Sequence, residues 1–298
     1  MGSIKKYTDK LYLKQWGLGY LKASLADIIR QKKSGLSFNW LPMEDTGLSW
    51  ADPFVYKGKN GNVNILFESV STVKLDGNIS LLECDADMNI ISSREILNNG
   101  FHLSYPFIYQ DGEKTFVLPE NAFCGSLNSY ELQDNGSLIN QKQILSQPVI
   151  DPTILKANGR YWLFCTMLGE KSNSDLFIFY SDTIDGTYMA HPKNPVKSDL
   201  NGSRPAGAFI EVDGHIYRPA QNCANYYGES ITINRIEVLT TTDFAEEAYM
   251  TIEPNQNDEF NYGIHTINAI DNLIIVDGQK SHFQPVQQLS RKLKNIFN

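Results

Sequence analysis

The sequence predicts an all-β fold, a single five-bladed β-propeller, and three observations carry that expectation. First, a strand start marked by proline recurs: Asp52-Pro53-Phe54-Val55-Tyr56, Tyr105-Pro106-Phe107-Ile108-Tyr109, Asp151-Pro152-Thr153-Ile154-Leu155 and Arg204-Pro205-Ala206-Gly207-Ala208. Second, each copy leads through Asn60-Gly61, Asp111-Gly112, Asn158-Gly159 or Asp213-Gly214 into a second strand. Such dipeptides favour tight hairpins because glycine accepts positive φ. Third, the prolines at 53, 106, 152 and 205 are nearly evenly spaced. A small sheet cannot bury its own face, so sheets repeated at such a period stack around an axis. A fifth, degenerate copy is expected over His265 to Val276.

The remaining elements follow in order. Residues 1 to about 45 lack the repeat, and apolar residues at 21, 25, 28 and 29 predict a short helix over Leu21 to Arg30, part of a segment that closes the propeller. Blade one is expected from Asp52 to about Met88, with an outer hairpin over Ser71 to Leu82 turning at Asp76-Gly77. Blade two places Asn128 to Leu132 before a turn at Asn135-Gly136, and blade three places Leu176 to Tyr180 before Asp185-Gly186. His191-Pro192-Lys193-Asn194-Pro195-Val196 reads as a loop, since its two prolines cannot sit in a central strand. Blade four pairs Gly207–Val212 with His215–Arg218 and then Ser230–Leu239. The whole chain of 298 residues is expected to be one domain.

Composition narrows the function. A formal net charge of −8 argues against nucleic acid or an anionic membrane as partner, because both are held by basic surfaces. Arg291, Lys292 and Lys294 form only a small basic patch, read as a solvated helix end. No run approaches the roughly 20 apolar residues that span a bilayer, and Met1 to Thr8 does not open a secretory leader. Cys84, Cys124, Cys165 and Cys223 are widely spaced, with no paired-cysteine motif, so no structural metal is expected and free thiols point to the cytoplasm. Nothing resembles a phosphate loop, a nucleophile elbow or a zinc-protease helix, and no cofactor is implied.

Ala51-Asp52-Pro53-Phe54 and Ile150-Asp151-Pro152-Thr153 resemble the aspartate-proline strand starts of the five-bladed propeller glycoside hydrolases, the clan of family 43. A closer resemblance covers nearly the whole chain. Trp50 to Phe54, His102 to Phe107, Leu118-Pro119-Glu120, Asp151 to Ile154, His191 to Val196 and Arg204 to Gly207 are similar to the propeller module at the N-terminus of plant glucosamine inositolphosphorylceramide transferases and bacterial relatives. The hydrolase pattern implies a general base at Asp52 and a pKa-tuning aspartate at Asp151. It also implies a general acid in blade four, where this chain has Gly202-Ser203-Arg204-Pro205 and no carboxylate.

Glycosidic cleavage needs one carboxylic acid for the leaving oxygen and one carboxylate to activate water or attack. Seven residues after Gly61, Gly159 and Gly214 stand Glu68, Thr166 and Gln221, and Glu120 follows Gly112 by eight. Glu68 and Glu120 are therefore expected at matching places in neighbouring blades, where either could supply the missing acid or simply bond to backbone or arginine. Asp52 and Asp151 could equally cap turns before proline. Arg204 could grip an anionic group or form a salt bridge between blades. His102, Tyr105, Gln221 and His265 are candidate sugar contacts through imidazole, phenol or amide. The function expected is a glycosidase-like, carbohydrate-active enzyme working on a glycan or activated sugar in the axial pocket. The alternatives are sugar transfer from a nucleotide-sugar during surface-glycan synthesis and sugar binding without catalysis.

Overall fold

The computed structural model describes residues 12–43, 47–71 and 76–283. Met1 to Thr8, residues 72–75 of the blade-one hairpin, and the basic patch at Arg291, Lys292 and Lys294 lie outside them. Five antiparallel sheets surround one axis. From the axis outward, blade one is Leu48–Lys57, Val63–Ser71, Gly77–Cys84 and Ile90–Leu97, and blade two is Ser104–Asp111, Lys114–Glu120, Leu127–Leu132 and Leu138–Leu145. Blade three is Val149–Ala157, Arg160–Met167, Asp175–Ser181 and Met189–Ala190, with Lys197–Ser198 also paired to its third strand. Blade four is Ile210–Val212, His215–Asn222, Ser230–Leu239 and Phe244–Ile252.

Blade five joins both ends of the described chain. Its inner strands are Ile267–Ile270 and Leu273–Phe283, and the outer pair is Tyr12–Leu21 and Asn39–Trp40. Tyr12–Leu21 pairs with Leu273–Phe283 along its whole length, which closes the ring. The segment thus closes the propeller mainly as a strand, and the short helix expected over Leu21 to Arg30 follows it with a later start, because Leu21 ends the strand. The helix is Leu25–Gln31, started by the Ser24 hydroxyl accepting from the Asp27 N–H at 3.2 Å, with Leu25, Ile28 and Ile29 buried. Gly17 and Gly19 hide the strand from a search for alternating side chains. They are required by packing, since a Cβ at Gly17 would lie 2.3 Å from the Phe260 ring and one at Gly19 would lie 2.7 Å from Trp40.

The turns between the first and second strands form at the expected glycines, whereas Gly77, expected in a turn, already pairs with Val70 and the connection before it lies outside the described residues. Asn158-Gly159 adopts φ 53° and 73°, and Asp213-Gly214 adopts 52° and 78°, the pair of positive values that matches strand twist. The apolar core lies between adjacent blades. Ile65, Phe67 and Leu82 of blade one pack on Leu18 and Ile275 of blade five, and Phe107 and Leu118 of blade two pack on Ile154 and Leu163 of blade three. Blade four departs from expectation, because its inner strand is only Ile210–Val212 while Arg204 to Phe209 runs to it as irregular backbone bridged once, at Pro205, to Ala220. Cys84, Cys165 and Cys223 are buried thiols and Cys124 is exposed. Among the described residues no helix is long and apolar enough to cross a membrane.

Candidate functional site

Each proline-marked start in blades one to three is a β-bulge. Ala51 faces Glu68 while Phe54 faces Leu66; Ser104 faces Glu120 while Phe107 faces Leu118; Ile150 faces Thr166 while Thr153 faces Phe164. The inner strand therefore carries one extra residue at the same level of each blade. Proline suits a bulge because it has no N–H to place in a ladder. The residue before it turns left-handed, with φ 51° at Asp52, 41° at Tyr105 and 50° at Asp151. A bulge re-aims a side chain, and here it leaves the pre-proline N–H pointing out of its own sheet.

A carboxylate from the preceding blade takes up each of those N–H groups. Asp52 N–H donates to Asp277 Oδ2 at 2.9 Å, Tyr105 N–H to Asp52 Oδ2 at 3.3 Å, and Asp151 N–H to Glu120 Oε2 at 3.0 Å. Left-handed backbone at a non-glycine residue costs about 1–3 kcal/mol. Hydrogen bonds to buried carboxylates offset that cost and tie blade five to one, one to two, and two to three.

Asp52 is 4% exposed. Its Oδ1 accepts from the Thr266 hydroxyl at 2.8 Å and lies 3.4 Å from His265 Nε2. His265 Nδ1 in turn lies 2.7 Å from Asp277 Oδ2, and Asp277 Oδ1 accepts from the N–H groups of His265 and Thr266. Burial pushes the Asp52 carboxyl up to about 6, with the Asp151 and Asp277 charges adding to it and His265 opposing it. For His265 burial opposes the charged ring, but the Asp277 and Asp52 carboxylates outweigh it and raise its pKa. Trp16 covers the imidazole at 4.0 Å between ring centres. Donor atoms of Asp52, His265 and Asp277 lie within 4.8 Å of one another, so among the described residues this trio could hold a metal ion.

Asp151 occupies the same place in blade three but has different company. Its Oδ2 accepts from Arg204 Nε at 2.6 Å and from Gln221 Nε2 at 2.8 Å. Arg204 is held in turn by Nη1 donating to Asn173 Oδ1 at 3.1 Å, and its guanidinium carbon lies 4.9 Å from the centre of the Tyr227 ring. Gln221 also donates to Pro205 O, and its N–H to Arg204 O. Arg204 is thus an interblade partner of Asp151, with its charge neutralised where it stands.

The second strands contribute Glu68, Glu120, Thr166 and Gln221 at matching levels, as the counting from the turn glycines implies. Burial pushes Glu68 well up, reinforced by the charges of Asp52, Glu120, Asp151 and Asp277. Burial also pushes Glu120 well up, with Asp151 raising it further and Arg204 opposing. Glu68 Oε1 lies 3.3 Å from His102 Nε2, and His102 Nδ1 accepts from the Gly77 N–H at 3.1 Å. That second bond leaves the ring proton on Nε2, aimed at Glu68. Tyr105 has no exposed surface: its hydroxyl shares a hydrogen bond with Thr153 Oγ1 at 2.8 Å and accepts from the Gly207 N–H at 2.7 Å. It spans the axis as a tie between blades two, three and four. Asp52, Glu68, Glu120, Asp151, Arg204, Gln221 and His265 come together around this axis, with His102 at its edge.

Asp277 is the residue that sequence reasoning missed. It fills the second-strand place in blade five, following the apolar run Leu273-Ile274-Ile275-Val276 with no exposed surface. A carboxylate directly after such a run is the signal that could have found it. Trp16, Asn173 and Thr266 were also missed as close partners. A cavity of about 670 Å³ opens at the other end of the axis, lined by Phe54, Tyr56, Lys57, Gln110, Lys114 and Asn268 among others, and none of the carboxylates above lines it.

Residues 45–280 match the family described as glucosamine inositolphosphorylceramide transferase 1, N-terminal. The chain belongs to that family. Within this N-terminal family, the chain is 32% identical over 220 residues to glucosamine inositolphosphorylceramide transferase 1 of Arabidopsis thaliana, covering 72% of this chain but 28% of that protein. It thus spans less than a third of the length of that relative. Among solved structures, an exo-β-1,3-galactanase from Clostridium thermocellum superposes with a TM-score of 0.57 at 12% identity, over 73% of this chain and 56% of that one. The exo-β-1,3-galactanase of Phanerochaete chrysosporium with galactose gives 0.54 at 14%, over 71% and 53%. The likeness to both galactanases is one of fold.

Proposed function

We propose that the chain is a carbohydrate-active protein whose axial carboxylates act on a glycan by glycosidase-like acid–base chemistry. The observation that carries this reading is a division of proton affinity among packed neighbours. Asp52 is pushed to about 6, while Glu68 and Glu120 are pushed well above the ordinary carboxylate range. Burial thus makes Glu68 and Glu120 hold their protons more tightly than ordinary glutamates beside an Asp52 raised to about 6, and neighbouring carboxyls of unequal proton affinity are what separate a base from an acid at one site. Asp52 is the base or nucleophile. Glu68 is the proton donor, because Glu120 is engaged with the Asp151 N–H whereas Glu68 is oriented by His102. Asp151, fixed by Arg204 and Gln221, aligns the neighbouring carboxylates. The fold shared with solved galactanases and the name of the Arabidopsis relative support a carbohydrate ligand, and the three buried thiols suit a cytoplasmic setting.

Sugar transfer is the second reading. It is favoured by the name of the Arabidopsis relative, a transferase, and by Arg204 standing where the hydrolase pattern has an acid. A nucleotide-sugar would then be the donor in surface-glycan synthesis, and the pocket would have to keep water from the acceptor side. Aryl-glycosides and neutral oligosaccharides, assayed beside nucleotide-sugars with acceptors, separate the two. Conversion by the wild type and its loss in Asp52→Asn is the expected result. Full activity in Asp52→Asn removes the assignment of Asp52, and binding without any conversion reduces the protein to a sugar receptor.

A further inference from the structure

The apolar surface of the propeller is unevenly placed. Among the described residues, large apolar side chains left exposed include Phe101, Phe123, Leu168, Leu200 and Tyr227, at 53%, 64%, 43%, 44% and 38%. Phe101 and Leu200 lie on connections that enter the inner strands of blades two and four. Phe123, Leu168 and Tyr227 lie between the second and third strands of blades two, three and four. In an up-and-down blade both kinds of loop fall at the end where inner strands begin and second strands finish. That is the end of the axis holding Asp52, Glu68, Glu120 and Asp151. The exposed Ile91, Ile139, Met189 and Val238 belong instead to outer strands.

Two members of this collar are rings joined directly to the site. Phe123 meets the His102 imidazole edge-on at 6.0 Å, and His102 reaches Glu68. Tyr227 lies over the Arg204 guanidinium at 4.9 Å, and Arg204 holds Asp151. One platform hangs on blade two and the other on blade four, so the carboxylates lie between them. Each sets an exposed ring beside a side chain that hydrogen-bonds an axial carboxylate, and apolar rings next to polar groups are what a pyranose, with its apolar face and rim of hydroxyls, can satisfy. Thr166 adds a polar group with no exposed surface and no hydrogen-bond partner for its Oγ1, at the blade-three place matching Glu68 and Glu120. Among the described residues, the arginine that reaches these carboxylates, Arg204, is already paired with Asp151, so an anionic sugar meets an excess of acid.

We propose that Phe123 and Tyr227 are sugar-stacking platforms on either side of the carboxylates, and that the ligand is a neutral oligosaccharide gripped by internal units rather than by its end. This rests on the carbohydrate reading of the site and specifies what kind of glycan it takes. The link of both rings to the buried carboxylates, through His102 and Arg204, selects a glycan as the occupant over a lipid surface.

The test is calorimetric titration of the intact chain with β-1,3-linked galacto-oligosaccharides of increasing length, and with cello- and xylo-oligosaccharides as alternative backbones. Affinity on the accepted backbone rises from the disaccharide to the tetrasaccharide, and Phe123→Ala and Tyr227→Ala each weaken tetrasaccharide binding by about tenfold while melting like the wild type. Affinity independent of length, or both variants binding the tetrasaccharide like the wild type, overturns the platforms and leaves the carbohydrate reading standing. Failure of every glycan to bind overturns that reading as well. Sedimentation with phosphatidylcholine vesicles that is abolished by Phe101→Ala or Phe123→Ala overturns the proposal in favour of a lipid surface.

Discussion

Asp52 and Asp151 sit at the same bulge in blades one and three, each before a proline and each with φ near 50°. Their surroundings differ in one decisive way. Asp151 receives a guanidinium and an amide on a single oxygen, whereas Asp52 faces a hydroxyl, a backbone N–H and an imidazole that Asp277 also claims. Position in the repeat places a carboxylate at the axis, but the neighbouring blade sets what the carboxylate can do. Asp52 is left able to exchange a proton near neutral pH, and Asp151 is held in place by Arg204 and Gln221.

The largest expected effect separates the two aspartates by function. Asp52→Asn lowers the turnover of any converted glycan by about 100-fold or more, the range for loss of a general acid or base, without loss of thermal stability. Single-turnover assays beside melting curves check both halves. Next in size is the pair in blades three and four. Arg204→Leu leaves Asp151 buried without its cation and lowers stability by about 3–5 kcal/mol. Adding Asp151→Asn restores most of it, which denaturant unfolding of the two single variants and the double variant measures. Additive losses would show that the ion pair is not what fixes Asp151.

Stability should also depend on pH with a definite sign. The Asp52 carboxyl rises from 3.8 to about 6 in the folded chain, so the folded state holds this proton more tightly. The stability it contributes is complete below 3.8 and is lost as pH climbs through 6. Glu68 and Glu120, raised well above 4.5 by burial, act in the same direction. The melting temperature therefore falls as pH is raised from about 4 to 8, and Glu68→Gln flattens the slope. A melting temperature that rises over the same range contradicts these shifts. The smallest effect concerns Gly77, where a Cβ would lie 2.6 Å from Glu68 Oε1 and 2.7 Å from Leu103 O. Gly77→Ala costs about 1–3 kcal/mol by overpacking, read from denaturant midpoints.

Much of this comparison is legible in the sequence, because proline before a bulge and glycine in a tight turn are both obligatory backbone signals. They fix the blade count and align Glu68 with Glu120. Asp277 escapes the same counting because blade five turns at Asp271-Asn272, with neither proline nor turn glycine to count from. Tyr12–Leu21 escapes because Gly17 and Gly19 replace the side chains whose alternation marks a strand, and because its partner lies at the far end of the chain. Arg204 is visible as a charge near the aspartates, yet its choice of Asp151 over Asp52 depends on how blade four packs against blade three. The burial that divides the proton affinities is a property of the closed ring.

Carboxyl-carbon NMR titration of the protein labelled at aspartate tests that division most directly. A resonance with its midpoint near pH 6, absent from Asp52→Asn, is the result the account predicts. An Asp52 signal that titrates at or below the ordinary aspartate midpoint near 3.8 would contradict it.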